Sequence, residues 1–186
     1  FKKNKIRTPN YFVMEKRKFD KKGLFSNLKK KKFNSSVVVK PLNEGSSIGV
    51  NICKNHQKLF KVTKYLFKQY DELIFEPYVD GQEVQVAVLN GNSLGAIELK
   101  PKREFYDYKA KYTKSANTKH IMPADLNKLK YNEVLKIAQK AHKVLNCEGV
   151  TRSDFKFHKN KFFLLETNTQ PGMTSLSLVP EIASYK

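Results

Sequence analysis

A chain of 186 residues with 40% hydrophobic and 12% aromatic content can bury a core, as one domain or two small lobes, and its composition excludes intrinsic disorder. The formal charge of +19 raises nucleic acid as a partner, but the excess is almost all lysine spread along the chain, with arginine only at Arg7, Arg17, Arg103 and Arg152. Phosphate and base recognition leans on the guanidinium fork, so solvated lysine is the default reading and no nucleic acid is expected. No apolar run nears the length of a membrane span, so no membrane is expected, and two cysteines, Cys53 and Cys147, fit a reducing cytoplasm.

In chain order, Thr8-Pro9 followed by Tyr-Phe-Val predicts an extended entry into a strand over residues 6–14. Residues 19–33 read as a helix that ends in the exposed run Lys29-Lys30-Lys31-Lys32. Val37-Val38-Val39 predicts a short strand over 36–40, running into Pro41-Leu-Asn-Glu44-Gly45-Ser46-Ser47-Ile48-Gly49, which has loop composition. Leu59, Val62, Leu66 and Phe67 recur at helical spacing. Strands follow over 73–78 and 83–89, and Asn90-Gly91-Asn92 turns the chain back into a strand over 94–99. Residues 100–117, rich in Tyr, Lys and Asp without a clear period, read as a long loop of the kind that often carries function. Tyr131, Val134, Leu135, Ala138, Ala141, His142 and Leu145 form one face of an amphipathic helix, with His142 packed rather than ligating. A hairpin, a Pro-Gly loop and a helix beginning at Leu178 finish the chain. Helices mixed with antiparallel hairpins indicate an α+β fold in two lobes meeting near residues 70–80, divided as 1–75 and 76–186.

The last hairpin carries the most chemistry. A three-residue loop Lys159-Asn160-Lys161 pairs His158 with Phe162, and the same register places Asp154 opposite Glu166 and Arg152 opposite Asn168. Glu166 and Asn168 share a face because strand side chains alternate. Close carboxylates repel unless a cation joins them, and hard oxygen ligands with an open substrate side suit Mg²⁺ on nucleotide phosphates. On an arbitrary hairpin such a row is simply a solvated face; the rest of the chain shifts the balance. Lys40 at a strand end, followed by Gly45, Ser46, Ser47 and Gly49, suits an anion nest beside a point charge, although the Walker spacing is absent. Glu76-Pro-Tyr-Val79, Gly81 and Glu83 resemble a hinge whose backbone faces a flat heterocycle and whose Glu83 accepts from ribose. Lys111 and Tyr112 lie in the long loop, where a cation and a phenol suit a bound anion. Arg152 and the backbone N–H of Gly172 are placed to meet an oxyanion.

Several runs together resemble one family. Val39-Lys40-Pro41…Glu44-Gly-Ser-Ser-Ile-Gly49-Val, Glu76-Pro-Tyr-Val-Asp-Gly-Gln-Glu83, Phe105-Tyr-Asp-Tyr-Lys-Ala-Lys111-Tyr112, Gly149-Val-Thr-Arg152-Ser-Asp154 and Leu165-Glu166-Thr-Asn168-Thr-Gln-Pro-Gly172-Met-Thr-Ser-Leu-Ser177-Leu178 resemble, in order and over nearly the whole chain, the D-alanine–D-alanine ligases of the ATP-grasp superfamily. The resemblance implies two α+β lobes clasping ATP. It implies ligation of two D-alanines through an acyl phosphate, for peptidoglycan precursor synthesis in the cytoplasm. Lys40 would contact phosphates, with Glu44, Gly45, Ser46 and Ser47 in the loop folding over the site and Ser46 facing the substrates. Glu76 and Val79 would meet adenine, Glu83 the ribose, and Phe105 and Lys111 would belong to the nucleotide site. Asp154, Glu166 and Asn168 would hold two Mg²⁺ ions (Mn²⁺ as a substitute), with Glu166 bridging. Arg152 and Gly172 would form the oxyanion hole. Lys111, Tyr112, Ser177 and Leu178 would bind the D-alanine substrates, Ser177 through the carboxylate of the second. In this family Tyr at position 112 goes with the dipeptide, whereas Phe goes with ligases making D-alanyl-D-lactate. The chain begins at Phe1, and the family carries a further N-terminal domain of about a hundred residues. That domain's glutamate helps bind the first D-alanine, and the full-length protein is expected to be a homodimer.

Overall fold

The computed structural model describes residues 1–33, 36–45, 47–100 and 118–185. Its contacts divide the chain into one unit of residues 9–78 and another of residues 1–8 and 79–186. The division thus falls after Tyr78, where the sequence reading drew it at residue 75, and the first eight residues join the later unit.

In the unit of residues 9–78, four antiparallel strands follow the order β1-β4-β2-β3: β1 (Phe12–Glu15), β2 (Val37–Pro41), β3 (Asn51–Cys53) and β4 (Glu72–Pro77). Helices α1 (Lys21–Lys30) and α2 (His56–Leu66) pack against one face. Each starts on a side-chain cap, Asp20 accepting from the Gly23 N–H and Asn55 from the Lys58 N–H, both at 2.8 Å. The four-lysine run ends α1: Lys32 takes a left-handed φ of 56°, and the Phe33 N–H returns to the Leu28 carbonyl, burying Phe33. Alternation in β2 sends Val37, Val39 and Pro41 to the helices and leaves Val38 and Lys40 on the opposite face. Phe12, paired with Phe75 across β1–β4, stacks on it at 4.7 Å within that core.

In the other unit, five antiparallel strands run in the order β7-β6-β5-β8-β9: β5 (Gln82–Leu89), β6 (Asn92–Lys100), β7 (Lys119–Ile121), β8 (Val150–His158) and β9 (Lys161–Asn168). Helix α3 (Lys128–Val144) covers one face through Val134, Ala138 and Ala141, against Val84, Val86, Val88, Phe155, Phe162 and Leu164. His142 on the same helix is buried and hydrogen-bonded to the Thr151 hydroxyl at 2.9 Å, a packed histidine as its helical spacing suggested. Leu145, expected on that face, is exposed just beyond the helix end. The opposite sheet face is divided: Ala87, Ile97 and Leu99 pack against helix α4 (Leu178–Tyr185), and the remainder carries polar side chains. The N-terminal residues dock along β9, with Ile6 buried in the core on the α3 side and the Leu164 N–H donating to the Arg7 carbonyl at 2.9 Å.

Both long hairpins close on two-residue turns. Asn90-Gly91 has φ values of 47° and 79°, and Lys159-Asn160 has 46° and 63°, the signature of type I′ turns. The second corrects the three-residue loop expected from sequence: His158 pairs with Lys161, and Phe157 with Phe162. A β-bulge between Asp154 and Phe155 then restores the expected pairing beyond it, because Phe155 faces Leu164 while Asp154 faces Glu166, leaving Leu165 as the extra residue.

Candidate functional site

That bulge creates the polar face. On the turn side of it, even-numbered residues of β9, Phe162 and Leu164, point into the α3 core. Strict alternation would carry Glu166 and Asn168 to the same side. The extra residue Leu165 reverses this, so Glu166 and Asn168 come to the face shared by Asp154 and Arg152, opposite which they pair. Thr167 instead turns to the α3 side, where its hydroxyl meets that of Ser153 at 3.0 Å.

Across β5, β8 and β9 the polar face is built of rows. Gln85, Asp154 and Glu166 pair in one row, Glu83 and Lys156 in the next, and Ala87, Arg152 and Asn168 in the row on the other side. The Arg152 guanidinium grips Asp154 through both carboxylate oxygens, Nε to Oδ1 at 2.7 Å and Nη2 to Oδ2 at 3.0 Å, in a bidentate pair with both side chains largely buried. The expected Arg152–Asn168 pairing is present in register, and the guanidinium itself lies on the neighbouring carboxylate. Glu166 is exposed, and the Asn168 side-chain Oδ1 accepts from the Gln170 N–H at 3.0 Å. Lys156, nearly buried, extends its ammonium to Glu83 Oε2 at 3.1 Å.

Beyond β9, the loop presses Gly172 against Ser177, where a Cβ on Gly172 would lie 2.9 Å from the serine Oγ. That Oγ accepts from the Thr174 N–H at 3.0 Å and lies just ahead of α4, which begins at Leu178. Gly172, Ser177 and Leu178 are thus fixed in one short segment.

In the unit of residues 9–78, Lys40 Nζ pairs with Glu76 Oε2 at 2.9 Å on the sheet face away from the helices. Glu44 and Gly45 are exposed in the loop after β2, and Ser47 has a left-handed φ of 62°. Gly49, at φ 70°, packs so close to the Pro41 ring that a Cβ there would lie 2.7 Å from it, so no larger residue closes this loop against β2. Ser46, Phe105, Lys111 and Tyr112 lie outside the described residues, as does most of the expected loop over 100–117.

Sequence reasoning missed Gln85 and Lys156. Both share strand parity with residues it had chosen, Gln85 with Glu83 and Lys156 with Asp154, and that signal was available. Gln85 is fully buried beside Asp154, and its side-chain Oε1 has no partner among the described residues.

Comparison with known proteins settles the lineage of this arrangement. A family model described as "D-ala D-ala ligase C-terminus" matches residues 1–186, the whole chain. The chain belongs to the D-Ala–D-Ala ligase C-terminal family. A D-alanine–D-alanine ligase of Pelagibacter ubique (strain HTCC1062) is 53% identical over 186 residues, covering 100% of this chain and 60% of that protein. A crystal structure of a D-alanine–D-alanine ligase from Bacillus anthracis superposes with a TM-score of 0.83 at 30% identity, covering 99% of this chain and 58% of that one. The same enzyme complexed with ATP gives 0.81 at 26% identity, covering 99% and 56%. This member of the family therefore has the ATP-grasp fold, as the motifs implied, and spans about 60% of the length of these relatives. Among its described residues no helix is long and apolar enough to cross a membrane.

Proposed function

We propose that the chain is the nucleotide- and metal-binding part of an enzyme that ligates two D-alanines through an acyl phosphate, supplying peptidoglycan precursors in the cytoplasm. One observation carries this reading: the bulge at Leu165 that brings Glu166 and Asn168 to the face of Asp154 and Arg152. The 53% identity to a D-alanine–D-alanine ligase over all 186 residues supports it.

The donor set fits a hard divalent cation. Among the described residues no cluster of three or more His, Cys, Asp and Glu gathers, but two carboxylates and an amide supply oxygens alone, as suits Mg²⁺ (or Mn²⁺) that shares its remaining positions with phosphate oxygens. Asp154, Glu166 and Asn168 are assigned to two such ions, which when bound neutralise phosphoryl oxygens.

The remaining residues bind and orient. Lys40, held on its sheet face by Glu76, is a point charge for phosphates, and the loop of Glu44, Gly45, Ser46 and Ser47 offers backbone N–H groups to them. The backbone at Glu76 and Val79 is assigned to adenine, and Glu83 to ribose hydroxyls. Arg152 and the Gly172 N–H stabilise the oxyanion that develops when the second amine attacks. Ser177 holds the carboxylate of the second D-alanine, beside Leu178. Phe105, Lys111 and Tyr112 are assigned to the nucleotide and substrates by their motif. Much of the rate comes from positioning, since the acyl phosphate and amine need only be held in line. The full-length protein is proposed to act as a homodimer, with D-alanine as its small-molecule substrate.

The test is phosphate release by the full-length protein with ATP and Mg²⁺ across a panel of amino and hydroxy acids. Release with D-alanine is expected. Activity absent with D-alanine but present with another pair would assign a different carboxylate–amine ligase.

A further inference from the structure

A buried lysine on the polar sheet face has no role in the reaction described above. Lys156 lies on β8 with the same parity as Asp154 and Arg152, directly opposite Glu83 on β5 and Phe163 on β9. Its ammonium is 3.1 Å from Glu83 Oε2 and 3.4 Å from the Gly81 carbonyl, and both charged side chains are 11% exposed. The backbone around it is held firmly. Gly81 has φ 117°, and a Cβ there would lie 2.3 Å from the Phe157 carbonyl oxygen, so this turn rests directly on β8.

A cation so deeply placed is costly to desolvate, and an unbranched apolar side chain of similar length would fill the space without that cost. What the apolar side chain could not do is fix the carboxylate opposite. We propose that Lys156 is a positioning residue for the nucleotide, holding Glu83 in the orientation in which its carboxylate accepts from the ribose hydroxyls and thereby setting selectivity for a ribonucleotide. The inference rests on the assignment of Glu83 to ribose made above. Without the ammonium, the largely buried Glu83 carboxylate loses the contact that fixes its direction, and its turning away removes the acceptor from the ribose.

The chain's binding of ATP, 2′-deoxy-ATP and 3′-deoxy-ATP in Mg²⁺ is measured by calorimetry, with melting temperature recorded for every variant. The unaltered chain is expected to prefer ATP over at least one deoxynucleotide by about ten- to hundredfold, the range for a hydrogen bond to a charged group. Lys156→Met and Lys156→Gln lower ATP affinity to that of the deoxynucleotides, as Glu83→Gln does, while Lys156→Arg retains most of the preference. The two neutral variants differ in shape and polarity, so a folding defect in one leaves the other to report. A purely structural lysine would lower the melting temperature and weaken all three nucleotides alike; an unchanged preference in the neutral variants therefore overturns the proposal while leaving the nucleotide site standing. An unaltered chain that binds Mg-ATP without any ribose preference overturns the assignment of Glu83 and the role of Lys156 together. No binding of Mg-ATP at all overturns the nucleotide reading itself.

Discussion

The β5–β6 and β8–β9 hairpins use the same two devices for different ends. Each turns on two residues with positive φ, and each carries a bulge that shifts its register by one residue. In β5–β6 the extra residue is Leu94, and the shift brings Gly95, Ile97 and Leu99 to the face of Ala87, where Ile97 and Leu99 join the apolar floor under α4. In β8–β9 the extra residue is Leu165, and the shift brings Glu166 and Asn168 beside Asp154 and Arg152. A bulge re-aims side chains without regard to their chemistry. Whether it builds an apolar core or a polar face depends on which residues follow it.

The sharpest way to test that contrast is Glu166→Gln, which keeps the bulge and removes one charge. Phosphate release by the full-length protein is expected to fall at least about a hundredfold, with little change in melting temperature. Deleting Leu165 should abolish Mg-dependent nucleotide binding as well. It also drives Glu166 toward the α3 side, with a stability loss on the order of 3 kcal/mol in urea melts. Ile97→Ala breaks the other hairpin's product: the side chain is fully buried, so about 2–5 kcal/mol of stability is lost, while the folded fraction still binds Mg-ATP. The turns should respond least. Gly91→Ala, at φ 79°, costs about 1–2 kcal/mol, whereas Lys159→Gly relieves a left-handed lysine and stabilises by about 0.5 kcal/mol, neither changing nucleotide affinity.

Much of this was legible in the sequence, and one part was reached by compensating errors. The pairing of Asp154 with Glu166 was anticipated from a three-residue loop, whereas the chain makes a two-residue turn and regains the lost residue at the bulge. Asn90-Gly91 advertises a type I′ turn; Lys159-Asn160 does not, because lysine rarely takes positive φ. The bulge was hidden because Phe162-Phe163-Leu164-Leu165 is apolar at every position and marks no alternation to be broken. Helices α2 and α3 were readable from their apolar spacing, and α1, α2 and α3 start on Asp20, Asn55 and Asn127 caps. The three-residue strands β3 and β7 are too short for a period, and the docking of Ile6 against the later unit depends on contacts distant in sequence. The polar face was found through Asp154, Glu166 and Asn168, while Gln85 and Lys156 were passed over because each lies amid apolar residues, although each shares strand parity with a chosen residue, Glu83 and Asp154.

The central claim is that the Leu165 bulge makes a metal-dependent nucleotide face. It is tested most directly by thermal-shift titration of the chain with ATP, with and without Mg²⁺, beside the Leu165 deletion. A ligand that binds only the folded state raises the melting temperature as its concentration grows. The account predicts a rise that requires Mg²⁺ in the unaltered chain and is absent in the deletion variant when that variant is folded at the assay temperature. An equal Mg-dependent rise in both would contradict it.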